Sequence, residues 1–383
     1  MKKVIFKLKR FRNGGIERLI VDILNNSKYF DIEFIVMIEE KEEWKIEDFL
    51  EKKIEIIYLK SSRLINIMNK LKSKKGVYSI IFNCLKIYEQ IVLIKKINSY
   101  ILENKIDIFI DYSGEPDRYI SRIKVPKKII WNHISISQKS KKGIEKYRKR
   151  LKNYDFIVTI CNEMKKELEF FFPELKEKIL KVYNFVDYKS IDKKVTDINL
   201  NEEEKKMLKE DYCISIGRLS KIKDYETIIM AFENLKQKGI NKKLFIIGEG
   251  EDRKKIETFI KEKNMEGQIY LLGQKNNPYI WLKNAELFIH AARSEGFGLV
   301  LVEAMYCQIP IISSKYKCGA EEILENGKNG ELFEIGNYEE LALKIENLLN
   351  NELKRKRYIS NSLKGIERFS IKRIFEEYKK IIF

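Results

Sequence analysis

The sequence predicts an α/β protein of two doubly wound, parallel-sheet (Rossmann-like) domains, and three observations carry that reading. The chain has 383 residues, too many for one ordinary core, so two domains of roughly 180 residues each are expected. Continuous apolar runs alternate with amphipathic stretches, as in parallel sheets covered by helices on both faces. Glycine is uneven: five of the 18 fall before residue 190 and 13 after it, marking repeated strand, turn and helix units in the second half. Hydrophobic content of 44% with 11% aromatics suffices for packed cores and excludes wholesale disorder.

The elements follow in order. KKVIFKL (2–8) reads as a strand, RFRNGG (10–15) as a loop and IERLIVDILNN (16–26) as a helix. Further strands are expected at 32–38, 54–59, 106–112, 127–133 and 154–160. The polar, strand-poor segment 188–211 reads as the connection, giving a first domain at 1–188 and a second at 189–369. YCISIGR (212–218) opens the second domain as a strand ending in a turn. The helix DYETIIMAFENLKQKG (224–239) shows apolar spacing at Ile228, Ile229, Phe232 and Leu235, closed by Gly239. Strands recur at 243–250, 268–273, 285–292 and 310–314. In such sheets ligands bind beyond the carboxyl ends of strands, so the loops there are where chemistry is sought.

Several function classes are disfavoured. Cys84, Cys161, Cys213, Cys307 and Cys318 form no C-x-x-C pair and only His133 and His290 accompany them, so no cysteine–histidine zinc pattern can be assembled. The start, MKKVIFKLKR, lacks the apolar core of a signal peptide, and no run of 18 apolar residues predicts a membrane span. A reducing cytoplasm is the expected setting. The net charge of +18 is lopsided: residues 1–190 carry 41 basic against 26 acidic side chains, the remainder 34 against 31. Residues 60–100 hold nine basic side chains against Glu89 alone, and 118–152 hold thirteen against Glu145 alone. Interleaved with aliphatic residues, these stretches suit an anionic membrane surface, a nucleic acid, or simply a solvated lysine-rich face.

One short stretch stands out. SEGFGLVLVEAM (294–305) sets Glu295 before a glycine turn and Glu303 inside an expected helix. Gly296 and Gly298 permit a tight turn and close approach of a ligand. The amide groups opening the helix at Leu299 would form an anion site suited to a diphosphate. Both carboxylates could accept hydrogen bonds from sugar hydroxyls, although a capping and a solvent-facing glutamate would show the same spacing.

EGFGLVLVEAM resembles the E-x7-E segment of family-4 glycosyltransferases, retaining enzymes of the GT-B fold whose two domains face each other across a cleft. The resemblance keeps the family's order over more than 300 residues, through GGIERL (14–19), WNHIS (131–135), YDFIVTICNEMKKEL (154–168), VYNFVD (182–187), GRLSKIKDYETII (217–229), IIGEGEDRKKIE (246–257) and CGAEEIL (318–324). It implies that Glu303 holds the ribose of the nucleotide. Glu295 would hold a donor-sugar hydroxyl, aided by the backbone amides of Phe297, Gly298 and Leu299. Arg218 and Lys223 would pair with the diphosphate and stabilise the leaving charge. Gly14 and Gly15 would let the first loop approach the phosphate, with Gly248 in the donor-side G-E-G loop. His133 would orient the sugar, or else be a satisfied histidine at a strand end, and His290 reads as a packed strand residue. The helix at 370–383 would pack back on the first domain. Two positions depart from the pattern: Asp224 stands where the family has glycine, and Phe185 follows Asn184 in place of glycine or proline.

The resemblance implies a retaining transferase moving a sugar from a nucleotide sugar, UDP-linked by family frequency. The acceptor would be a glycan or lipid-linked intermediate of bacterial surface polysaccharide, lipopolysaccharide or glycoconjugate synthesis. No metal is expected, because no D-x-D pair is present. The basic first half places it as a cytoplasmic protein peripheral to the inner face of the plasma membrane. Alternatives are a nucleotide-sugar epimerase of the same fold and a basic nucleic-acid-binding protein, the latter without a recognised motif.

Overall fold

A computed structural model describes residues 1–383 except 12, 13, 43, 74, 75, 138, 197 and 198. The chain divides into two compact units, Met1–Tyr183 with Phe375–Phe383, and Asn184–Ile374. The first contains β1 (Lys2–Arg10), β2 (Ile32–Glu40), β3 (Glu55–Tyr58), β4 (Ile108–Asp111), β5 (Lys127–Asn132), β6 (Phe156–Thr159) and β7 (Ile179–Lys181). The second contains β8 (Tyr212–Ile216), β9 (Lys243–Ile247), β10 (Ile269–Leu271), β11 (Leu287–His290), β12 (Ile311–Ser314) and β13 (Glu331–Phe333). The sheets run β3-β2-β1-β4-β5-β6-β7 and β10-β9-β8-β11-β12-β13. Every pairing among them is parallel.

The strand sequences explain this layering. β4 (IFID), β11 (LFIH) and β12 (IISS) are buried at every position, so both faces of each strand are covered. Helices supply the cover: Ile228, Ile229, Phe232 and Leu235 of helix Tyr225–Gln237 are buried in the second core with Leu244, Ile246, Leu287 and Ile289. In the first unit, Phe375 lies 4.4 Å from Phe30, and Tyr378 stacks on Trp131 at 4.4 Å, both contacts made by the end of helix Ile371–Ile382. Strand order reverses between β1 and β4 in one sheet and between β8 and β11 in the other. At such switch points adjacent loops part and leave a crevice beyond the carboxyl ends of the strands.

The structure departs from the sequence expectations in three places. The polar segment 188–211 carries helices Tyr188–Thr196 and Glu202–Met207 within the second unit. Strands β7 and β13, three residues each, were not expected, because short edge strands show no measurable period. Residues Val77–Asn104 form one 28-residue helix, long and apolar enough to cross a membrane by length and composition, although no such segment was expected. Its apolar residues are interrupted by Ser, Asn, Lys and Glu, so no unbroken run reveals it. The expected loop at 10–15 includes residues 12 and 13, which lie outside the described residues.

Candidate functional site

In the second unit, the loops leaving β8 and β11 flank the switch point. The loop after β8 is held by backbone bonds, Gly217 N donating to Ile247 O at 3.0 Å and Leu219 N to Glu249 O at 3.0 Å. Gly248 adopts φ +149°, and a Cβ there would sit 2.0 Å from the Gly217 carbonyl oxygen. Gly248 therefore has a packing reason of its own, which is to let two loops touch backbone to backbone. A single 3₁₀ turn, Lys221–Lys223, follows. Asp224 then takes the left-handed conformation at φ +50°, the conformation a glycine would supply. Its buried carboxylate accepts from Thr227 Oγ1 at 2.9 Å and pairs with Arg293 Nη2 at 3.0 Å, which steadies that turn.

The loop after β11 is braced from the other side. Gly298 adopts φ +95°, and a Cβ there would meet the Tyr316 hydroxyl at 1.9 Å. That hydroxyl donates to Phe297 O at 3.0 Å, and Gly319 lets its own backbone approach the same carbonyl. Helix Leu299–Tyr306 begins immediately afterwards, and its first amides have no acceptor within the helix. Gly298→Ala is expected to destabilise by about 1–3 kcal/mol through the left-handed φ and the Tyr316 contact. An unchanged thermal midpoint would show that the loop does not depend on this fit.

Charges converge where the two loops meet. Lys223 Nζ pairs with Glu295 Oε1, and His290 Nε2 lies 3.0 Å from the same oxygen. Burial raises the Glu295 carboxyl, but the His290 hydrogen bond and the Lys223 charge outweigh it and hold it down at about 2. Burial lowers His290. A neutral imidazole facing a carboxylate donates from Nε2, so Nε2–H is the tautomer present. Four residues along helix Leu299–Tyr306, Glu303 accepts from the hydroxyl of buried Tyr279 at 3.0 Å. Arg218 is exposed, and no hydrogen bond or ion pair engages its side chain among the described residues.

The structure thus brings Lys223 and Glu295 into contact and places Arg218, Glu303, Phe297, Gly298 and Leu299 on the elements that border them. Sequence reasoning missed two participants. His290 was read as packing, yet it sits at the end of β11, five residues before Glu295. Tyr279 gave no signal, because a tyrosine after a proline carries no motif.

Gly14, Gly15 and His133 belong to the first unit. Gly14 caps helix Gly15–Asn25 with extended backbone, and a Cβ on Gly15 would meet nothing within 4 Å, so space is open beside it. His133, just past β5, is buried with both ring nitrogens lacking a partner. Burial lowers it to about 3, so the ring is neutral at neutral pH. At the β1–β4 switch point a buried ionic cluster was not legible in the sequence. Lys7 Nζ lies 2.6 Å from Glu39 Oε1, 2.5 Å from Asp117 Oδ2 and 3.3 Å from Ser113 Oγ. Tyr119 donates to Glu39 at 2.7 Å, and Tyr154 to Asp111 at 2.6 Å.

Comparison with known proteins adds to this geometry. Residues 197–365 match the family model for glycosyl transferases group 1. The chain is 33% identical over 178 residues to N-acetylgalactosamine-N,N'-diacetylbacillosaminyl-diphospho-undecaprenol 4-alpha-N-acetylgalactosaminyltransferase of Campylobacter jejuni, covering 46% of each protein. It is 29% identical over 266 residues to a glycosyltransferase of Methanocaldococcus jannaschii, covering 62% of this chain and 65% of that one. The chain spans less than two thirds of either relative. Among solved structures, Anabaena HepE in complex with UDP and glucose matches with a TM-score of 0.77 and 17% identity, covering 100% of this chain and 99% of its own. A whole-length match joined to two parallel sheets with central switch points decides the architecture. The fold is GT-B. In this GT-B chain the segment matched by the family model lies inside the second unit and holds Arg218, Lys223, Glu295 and Glu303.

Proposed function

We propose that the protein is a retaining glycosyltransferase of family 4 that moves a sugar from a nucleotide donor, UDP-linked, to a lipid-linked glycan in bacterial surface-polysaccharide or glycoconjugate synthesis. The observation that carries this reading is the Lys223–Glu295–His290 contact at the β8–β11 switch point, beside the amides that open helix Leu299–Tyr306. A cation, a carboxylate held ionised and the amides of a helix N-terminus, side by side, suit a diphosphate joined to a polyol. The C. jejuni relative, whose name specifies a diphospho-undecaprenol acceptor, supports a lipid-linked acceptor, and the UDP complex of HepE supports the donor class.

In this reading Arg218 and Lys223 meet the diphosphate, the amides of Phe297, Gly298 and Leu299 add to them, and Glu295 accepts from a hydroxyl of the donor sugar. Gly248 keeps backbone near the phosphates. The bond from the anomeric carbon to the diphosphate breaks as the acceptor oxygen attacks from the same face. The acceptor proton passes to the departing phosphate oxygen. Developing negative charge on that phosphate is stabilised by the two cations, so the step is proposed to proceed without a divalent metal. The enzyme would act at the cytoplasmic face of the membrane, where its basic first half meets anionic lipid.

Chromatography of the reaction with a lipid-linked acceptor tests the reading. Loss of UDP-sugar with an α-configured product from an α-linked donor supports it, and release of an epimerised nucleotide sugar without acceptor would overturn it. Tyr279 would act as a positioning residue, aiming the Glu303 carboxylate at the ribose. Tyr279→Phe is accordingly expected to weaken UDP binding by roughly 0.5–1.5 kcal/mol, the scale of one hydrogen bond. It should leave the affinity for 2',3'-dideoxy-UDP unchanged. An equal loss for both nucleotides would make Tyr279 a packing residue only.

A further inference from the structure

One surface of the first unit is apolar, basic and uncovered. Helices Ser62–Leu71 and Val77–Asn104 pack on each other, and none of the described residues from 61 to 92 is buried. Burial starts at Leu93 and continues at Ile94, Ile97 and Ile101, which join the core of the unit. The first sixteen residues of the long helix, roughly 24 Å at 1.5 Å per residue, therefore stand clear of that core. Val77, Ile80, Ile81, Ile87, Tyr88 and Ile91 are exposed, Ile80 at 64% and Ile87 at 61%. Lying three, four, ten, eleven and fourteen residues beyond Val77, they line up one face of the helix, and exposed Cys84, at seven, falls on the same face. A continuous apolar stripe of this kind marks an interaction site in a water-soluble unit.

The charge around the stripe selects the occupant. Residues 61–88 carry six basic side chains and no acidic one, with Arg63, Lys70, Lys72 and Lys86 all exposed. A second copy of the chain would bring two strongly basic faces together. An anionic lipid surface satisfies both features at once, since acyl chains receive the isoleucines while headgroups receive the lysines. We propose that the exposed face of Val77–Val92, with the basic helix Ser62–Leu71 beside it, is an interfacial membrane-docking surface for anionic lipid. The helix does not cross the bilayer, because its last third is fixed in the protein core. The surface deepens the lipid-linked acceptor reading and rests on it for its purpose, while lipid binding is measured without turnover.

Cys84 supplies the probe, because the other four cysteines are buried. The full chain carrying an environment-sensitive dye on Cys84 is mixed with phosphatidylcholine vesicles, with and without phosphatidylglycerol. Expected is a blue shift and co-sedimentation with the phosphatidylglycerol vesicles, both weakened as salt is raised from low ionic strength. Replacing Ile80 and Ile87 with Glu in the same molecule is expected to lower vesicle binding at least about tenfold, since it removes buried apolar area and adds repulsion. Both positions are exposed, so the fold should survive, which the thermal midpoint checks. Leu353→Glu, at an exposed site in the second unit, should bind vesicles like the parent. Binding unaffected by the paired Glu variant, or equal binding to both vesicles, would overturn the proposal. A dimer abolished by that variant, with no vesicle binding, would overturn it in favour of a second copy. Failure of the lipid test with normal UDP binding sinks this inference alone.

Discussion

Arg218→Ala is expected to lower sugar transfer by roughly 10²–10³-fold, the effect of deleting one preorganised charge-stabilising group. Its thermal midpoint should stay within about 2 °C of the parent, because exposed substitutions without partners shift stability by at most about 0.5 kcal/mol. The clean separation follows from the side chain being exposed and unengaged. Lys223→Ala is a less selective probe. It also releases Glu295, whose depressed carboxyl depends on Lys223 as well as His290. Steady-state rates and a thermal melt check both. Unfolding of Arg218→Ala, or full activity, would remove Arg218 from the proposed diphosphate site.

Lys7→Ala is expected to cost about 3–5 kcal/mol, because it strands buried carboxylates that share one cation. Lys7 is fully buried, and burial lowers its ammonium, but Asp117, Tyr119 and Glu39 together raise it well above the usual value. Urea unfolding measures the loss, and adding Asp117→Asn to Lys7→Ala should recover part of it. The same cluster gives stability a pH dependence. Burial and the neighbouring Asp111 push Asp117 up to about 7 against the pull of Lys7. A raised carboxyl contributes stability present below its unfolded value, about 4, and lost as pH rises through 7. Asp117→Asn should therefore flatten the decline between about pH 4 and 7. An unaltered slope would show that Asp117 ionises normally.

Particular residues show how much was legible beforehand. The parallel sheets could be read because strands such as IFID and LFIH open on unbroken apolar triplets and are separated by helices with clear spacing. Glu295, Glu303, Arg218 and Lys223 were found because glycine turns and fixed intervals surround them. The His290–Glu295 and Tyr279–Glu303 contacts were not, since each joins side chains from different elements and only the folded chain brings them together. Lys7 was hidden for the same reason. A lysine in a strand reads as a solvent-facing position unless its partners, here on β2 and the loop after β4, are known. The long helix Val77–Asn104 escaped because Ser79, Asn83, Lys86, Glu89 and Gln90 break its apolar residues into short runs, so no unbroken stretch marks it. Asp224 shows the converse, a residue that breaks the expected glycine while keeping the backbone conformation the turn needs.

Calorimetric titration of the full chain with UDP and with GDP, in buffer containing EDTA, tests the central claim most directly. The account predicts saturable binding of UDP without metal, weakened by Glu303→Ala by roughly 1.5–3 kcal/mol, the scale of a charged hydrogen bond. Silence from both nucleotides, or binding that appears only when a divalent ion is restored, would contradict it.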